Sequence, residues 1–157
     1  MEDGKRIITV VCTGNVCRSP MGERLLAHAL AGTNDLADIR VLSAGTAAFP
    51  GDNASKNSQI ALRKVGLDLS DHRSRPLTDQ LLEISDLVLT MTSGHRDVIE
   101  LHNSDLKVPV YRFREWMDVG SKEVPDPFGG PLEIYLDTRD SLVEAIPSIL
   151  EKASKLS

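Results

Sequence analysis

The first apolar run, residues 7–11 (Ile-Ile-Thr-Val-Val), is β-branched throughout and shows no polar alternation. A segment that is apolar on both faces suits a strand buried inside a parallel sheet. Residues 38–42 and 86–91 have the same character, and residues 108–111 form a weaker fourth candidate. Between these runs the apolar period becomes helical. Met21, Leu25, Leu26, Ala29 and Leu30 share one face, as do Ala54, Ala61, Leu62 and Val65. Pro76-Leu77-Thr78 opens a shorter helix that ends near Ile84. Residues 132–156 predict a long amphipathic helix, with Ile134, Thr138, Leu142, Ala145 and Ile149 along one face. Pro147 lies inside it and, lacking a backbone donor, predicts a kink or restart.

Strands that alternate with helices predict an α/β fold. The expected architecture is a single domain over residues 1–157, a four-stranded parallel sheet flanked by helices on both faces. Residues 44–53 and 112–131 are irregular and rich in Gly, Pro and Asp. Open parallel sheets bind ligands beyond the carboxyl ends of their strands. Functional residues are therefore expected just after Val11, Leu42 and Met91, and in the late irregular stretch.

Composition narrows the partners. With 18 basic and 23 acidic residues the formal net charge is −5, against the basic balance of most nucleic-acid binders. No stretch approaches the roughly 20 apolar residues of a membrane span, and the N-terminus lacks the pattern of a signal peptide. The expected compartment is a reducing cytoplasm in which thiols stay free. Cys12 and Cys17 are the only two cysteines, too few for a disulfide framework or a four-cysteine zinc site. His28, His95 and His102 fall in helical patterns without convergent ligand spacing, so neither a metal nor another cofactor is expected.

The turn after the first strand reads Cys12-Thr13-Gly14-Asn15-Val16-Cys17-Arg18-Ser19-Pro20. Gly14 and Asn15 tolerate left-handed backbone, so successive N–H groups can converge into an anion-binding nest. Ser19 and Pro20 suit a helix N-cap and first turn, which would add a positive dipole end. Arg18 offers a planar fork to two phosphate oxygens. The same surroundings favour the anionic form of the Cys12 sulfur and make it a nucleophile at neutral pH. A phosphoryl group held by residues 13–18 would lie over that sulfur, poised for in-line attack and a phosphocysteine intermediate. Cys17 either packs beneath the loop or traps an oxidised Cys12 as a disulfide.

On these residues the chain resembles the low-molecular-weight protein tyrosine phosphatases, whose signature is Cys-x5-Arg-Ser in a phosphate loop after the first strand. A second family motif, Asp-Pro in a late loop, stands here as Asp126-Pro127-Phe128. The resemblance implies that Asp126, confined between Pro125 and Pro127, is the general acid and then the base that activates water. It also implies that Asn15, Ser19, Ser43 and His72 form a hydrogen-bonded shell around the loop. The substrate it implies is a phosphorylated protein; oligomeric state is left open.

The substrate group is a divided reading. Asp-Pro-Phe-Gly-Gly, Met91-Thr92 and the later Ile134-Tyr135 with Thr138-Arg139-Asp140 look more like the bacterial protein-arginine phosphatases. That branch, however, uses a threonine hydroxyl where this chain has Val16, and tyrosine-directed members carry an aliphatic residue there. A site built around a hydrogen bond loses much selectivity without it. Phe49 and Phe128 form an apolar wall for an aromatic ring, or else Phe49 covers the core. The expected activity is phosphotyrosine hydrolysis, with phosphoarginine as the near rival. An arsenate reductase of this fold would need further cysteines for its relay, and a non-catalytic phosphate-binding module would have no use for Asp126 or for a thiol beneath the nest.

Overall fold

A computed structural model describes residues 5–103 and 105–156. The elements follow in the order β1 (Ile7–Cys12), α1 (Arg18–Ala31), β2 (Arg40–Gly45), α2 (Lys56–Arg63), α3 (Asp79–Ile84), β3 (Leu87–Thr90), α4 (Ser93–His102), β4 (Val110–Arg112) and α5 (Leu132–Ala153). The four strands form one parallel sheet in the order β2-β1-β3-β4. β1 is thus central, with Ile8 opposite Val41 on one side and Leu87 on the other. The strand order reverses next to β1, which puts its carboxyl end at the crevice where such sheets bind ligands.

Both faces of the sheet are covered, as the unalternating strands require. Ile8, Val10 and Cys12 point with Leu87, Leu89 and Met91 into the larger core, beneath α1, α2 and α5. Val11 and Val88 face the other way, against Leu82 of α3 and Ile99 of α4. Thr9 also points there and bonds Ser85 at 2.7 Å, which satisfies a buried hydroxyl.

Several boundaries differ from the sequence expectation. β4 covers 110–112 rather than 108–111, beginning only after Pro109, which has no N–H for the ladder. β2 starts at Arg40 and runs on to Gly45, because Arg6 takes Asp38 in an ion pair of 2.6 Å while Ser43 and Ala44 pair with Val10 and Val11. Helix α1 starts at Arg18 rather than after Ser19; its N-cap, Cys17, makes no side-chain cap bond, and Ser19 is inside the helix with its hydroxyl used elsewhere. Val65 lies beyond the end of α2 and is exposed. On α5 Tyr135 takes the buried place expected for Ile134, and the helix ends at Ala153.

Helix α5 is also continuous through Pro147. The hydrogen bond that proline removes would have gone to Val143, four residues earlier. Both residues are exposed, so water can serve that carbonyl, while Ala145, Ile146 and Ile149 stay buried on the opposite face. No helix among the described residues is long and apolar enough to cross a membrane.

Candidate active site

The turn from β1 into α1 is held from outside by its own carbonyls. That of Cys12 accepts from Thr46 N at 2.9 Å, that of Thr13 from Ala47 N at 2.9 Å, and that of Val16 from Ser55 N at 2.8 Å. The Asn15 carbonyl accepts from His72 Nε2 at 2.8 Å, and the Cys17 carbonyl from the Ser58 hydroxyl at 3.4 Å. A trans peptide points its N–H opposite to its C=O. The N–H groups of Thr13, Gly14, Val16, Cys17 and Arg18 are therefore turned away from these anchors, toward the inside of the loop. Only Asn15, at φ 57°, takes the left-handed conformation; Gly14 does not need it.

Asn15 is fully buried and uses its whole amide. Nδ2 donates to Ser19 Oγ at 2.8 Å and to Ser43 Oγ at 3.0 Å, while Oδ1 accepts from Arg75 N at 2.9 Å. Ser43 passes its own proton on to Glu23 Oε1 at 2.6 Å. Ser19 Oγ, already accepting from Asn15, lies 2.9 Å from Cys12 Sγ, so its hydrogen is free to point at the sulfur. An O–H donated in this way stabilises a thiolate over a thiol. Asn15, Ser19, Ser43 and His72 thus join in one network centred on Asn15, which reaches Cys12 through Ser19 and extends to Glu23 and Arg75, which the sequence did not single out. Cys17 is buried under the loop, 3.5 Å from Ser55 Oγ and 3.6 Å from the Tyr135 hydroxyl. Burial and the Cys17 contact push that tyrosine up to about 12.

The loop also depends on the bareness of Gly45. A β-carbon there would overlap the Thr13 carbonyl and come within 2.8 Å of Ala48 Cβ and 3.0 Å of Asn15 N. Two of these neighbours are backbone and cannot swing aside. Gly45→Ala is expected to lower the melting temperature and to cut turnover at least about tenfold, since small misplacements of reacting groups are costly. A thermal melt together with steady-state rates checks this.

Arg18 is buried, with 4% of its surface accessible. Nη1 donates to the Val124 carbonyl at 3.0 Å, and Nη2 lies 3.4 Å from Thr13 Oγ1 and 3.8 Å from Asp126 Oδ2. Its Nε is the one buried side-chain polar atom among the described residues without a partner. Asp126 reaches this guanidinium from the late loop, its side chain about half exposed at 52%. An Asx-type bond from Phe128 N to Asp126 Oδ1, 3.0 Å, helps fix the carboxylate beside the flanking prolines. Phe128 and Phe49 are both strongly exposed, at 73% and 78%. Phe49 therefore does not cover the core.

Two groups that the sequence passed over complete the surroundings. Glu123 accepts from Ser93 N at 3.0 Å and from Arg112 Nη1 at 3.3 Å, tying the acid-bearing loop to the start of α4. Although burial opposes it, these bonds lower its carboxyl below the usual range. His95 lies one turn into α4, where a histidine at the third helical position reads only as part of a helix. Burial, then the positive Arg18, push it down to about 4, against smaller opposing effects of Asp126 and Glu123. A folded-state value below the unfolded one means that the unfolded chain binds more protons between them. Stability should therefore fall as pH drops from about 6.5 toward 4, and His95→Gln should flatten that slope in urea titrations at stepped pH.

A cavity of about 760 Å³ opens at the other end of the sheet, and its lining of Asp79, Glu83, Asp86 and Asp105 outnumbers the basic Lys107 and His102 there. Such a lining repels phosphate. The β1–α1 loop lies at the opposite end, at the carboxyl ends of the strands.

A buried thiol hydrogen-bonded to Ser19, a buried arginine and a loop carboxylate thus lie at the carboxyl ends of the strands of a doubly wound sheet. Comparison with known proteins gives this arrangement a family. The profile of the low molecular weight phosphotyrosine protein phosphatases matches residues 7–156, and the chain belongs to that family. It is 38% identical over 148 residues to a protein-arginine-phosphatase of Bacillus subtilis (strain 168), covering 94% of this chain and 97% of that one. It is 34% identical over 148 residues, 94% and 92% of the two chains, to a probable low molecular weight protein-tyrosine-phosphatase, AmsI, of Erwinia amylovora. Among solved structures, a low molecular weight protein tyrosine phosphatase from T. tengcongensis superposes with a TM-score of 0.86 at 33% identity, over 94% of this chain and 99% of that one. The chain is accordingly an enzyme, a phosphoric monoester hydrolase.

Proposed function

We propose that the enzyme hydrolyses phosphotyrosine in cytoplasmic protein substrates through a phosphocysteine formed on Cys12. The observation that carries this reading is that Cys12, the carbonyl-anchored loop after it, Arg18 and Asp126 all meet at the turn from β1 into α1. The Cys12 sulfur attacks phosphorus, an S–P bond forms and the P–O bond to tyrosine breaks. The departing electron pair stays on the phenolic oxygen, which takes a proton from Asp126. Asp126 then removes a proton from water as it attacks phosphorus, and the S–P bond breaks to release phosphate and return the thiolate. The loop N–H groups and Arg18 hold the equatorial oxygens, whose charge is spread in the transition state. Ser19 stabilises the sulfur both as attacking anion and as leaving group.

The choice of tyrosine rests on Val16 and on the exposed aromatics. Val16 packs its partly buried side chain against the core and offers no hydroxyl to a guanidinium. Phe128 and Phe49 stand exposed and suit the faces of a phenyl ring. A second reading, phosphoarginine hydrolysis, is favoured by Thr92 and by the Asp-Pro-Phe-Gly-Gly segment, and has the support of the relative from Bacillus subtilis. Rates on a phosphotyrosine and a phosphoarginine peptide, measured on one preparation, separate the two. Phosphotyrosine is expected to be preferred, and Val16→Thr should move the ratio toward phosphoarginine by about tenfold or more. A strong preference of the unaltered enzyme for phosphoarginine overturns the choice. The net charge of −5 opposes nucleic acid as a partner and confines phosphate attraction to this pocket.

A further inference from the structure

The Thr13 side chain and His95 have no part in the steps just described, yet they touch the groups that do. Thr92 N donates to His95 Nδ1 at 3.2 Å as one half of a capping box at the start of α4. Because Nδ1 accepts, the ring proton of a neutral imidazole must sit on Nε2. That nitrogen lies 2.9 Å from Thr13 Oγ1, so it donates there. The second lone pair of the same oxygen faces Arg18 Nη2 at 3.4 Å.

We infer that His95 is a positioning residue for phosphoryl transfer: its Nε2–H fixes the Thr13 hydroxyl, and the Thr13 oxygen in turn fixes the plane of the Arg18 guanidinium over the reacting phosphoryl group. Arg18 is then held on one side by the Val124 carbonyl of the acid-bearing loop and on the other by Thr13 of the phosphate loop. The bond at 3.4 Å is long, as catalytic contacts often are before substrate tightens them. A histidine suits the role because burial and Arg18 keep it uncharged, so it adds a directed donor without repelling the arginine. The geometry has a second consequence. With both lone pairs of its oxygen facing donors, the Thr13 hydroxyl can only donate, and Thr13 is exposed at the mouth of the loop.

The α4 start also contacts the loop that carries Asp126. Ser93 N and Oγ both donate to Glu123, three residues before Asp126. One short segment, Thr92 to His95, therefore braces the phosphate loop through Thr13 and the acid-bearing loop through Glu123. The separation of Arg18 from Asp126, 3.8 Å, is set between these two braces.

The inference rests on the phosphocysteine reading above, and its test separates the two. Asparagine at position 95 keeps an acceptor near the place of Nδ1 for the Thr92 cap but loses the donor to Thr13; glutamine can extend an amide N–H toward the place of Nε2. Steady-state kinetics on phenyl phosphate are measured for the wild type, His95→Asn, His95→Gln, Thr13→Val, the double variant Thr13→Val/His95→Asn, and Cys12→Ser. His95→Asn and Thr13→Val are each expected to lower kcat about tenfold with KM within about twofold, as misorientation of a transition-state contact should. The double variant should be no slower than Thr13→Val alone, and His95→Gln should recover most of the lost rate. A wild-type kcat in Thr13→Val, multiplying effects in the double variant, or a His95→Gln no better than His95→Asn overturns the inference. Thr13→Val decides alone if the His95 variants do not fold. Turnover persisting in Cys12→Ser would instead overturn the phosphocysteine reading.

Discussion

Cys12→Ser is expected to abolish turnover, by about 10⁴-fold or more, while the protein still folds and still binds phosphate. A serine hydroxyl fits where the buried sulfur sits and can keep a hydrogen bond with Ser19. A serine hydroxyl needs a general base to become an anion at neutral pH, and its polar neighbours among the described residues are the Ser19 hydroxyl and, through that, the Asn15 amide. The groups proposed to hold the oxyanion should be untouched, because the loop N–H groups depend on the carbonyl anchors to Thr46, Ala47 and Ser55 and not on position 12's side chain. Turnover of an aryl phosphate, paired with calorimetric titration of inorganic phosphate, checks both halves. Retention of a tenth of the wild-type rate would remove Cys12 from the nucleophile's role. Loss of phosphate binding along with turnover would mean that the sulfur shapes the loop itself.

The site's chemistry lay unusually close to the surface of the sequence because one turn contains most of it. A β-branched run followed by Cys-Thr-Gly-Asn and then an arginine fixes, by chain connectivity alone, that thiol, nest and helix start fall within a few residues. The strands were legible for the same local reason, since a segment apolar on both faces can only be buried on both. Boundaries set by distant partners were not. β2 gives up Asp38 to Arg6, a residue far away in the chain, and Ser19 is drawn inside α1 because its hydroxyl serves Cys12 and Asn15. Ile134 and Tyr135 are adjacent on α5, and it is the tyrosine that is buried, with its hydroxyl against Cys17 beneath the β1–α1 loop.

His95, Glu123 and Gly45 escaped sequence reading for a related reason. Each acts on residues brought near only by the fold: His95 on Thr13, Glu123 on Ser93, and Gly45 by leaving room for the Thr13 carbonyl. A histidine or glutamate in a polar helix or loop gives no local sign of such a partner. For Gly45 a faint sign existed, a glycine at the carboxyl end of a strand next to the proposed site, where a close backbone approach is a common cause. The charge balance is sharpened as well. On the proposed reading a chain at −5 captures a dianion with local donors, and a loop whose carbonyls are anchored outward can supply backbone N–H groups without any excess of basic side chains.

Asp126→Asn is the second large effect, and its size should depend on what leaves. Asparagine can keep the Oδ1 acceptor for Phe128 N and the approach to Arg18, so the loop geometry at 3.0 and 3.8 Å has no reason to change. The lost property is the transferable proton. General acid catalysis contributes about 10²–10⁴-fold when the leaving group is a poor one. Formation of the phosphocysteine from phenyl phosphate or a phosphotyrosine peptide should slow by that order. From an activated ester such as p-nitrophenyl phosphate it should slow little, because the phenolate leaves without help. The second step is slowed in either case, since no carboxylate remains to take the proton from the attacking water. With the activated ester, rapid-mixing traces should therefore show a burst of nitrophenol equal to the enzyme present, followed by a slow steady rate, and the acid-quenched protein should carry phosphate on Cys12. Undiminished turnover of phenyl phosphate would remove Asp126 from the acid's role, and a missing burst would remove it from the base's. The two roles are thus separable on one variant, because the same carboxylate is asked first to give a proton to an oxygen and then to take one back.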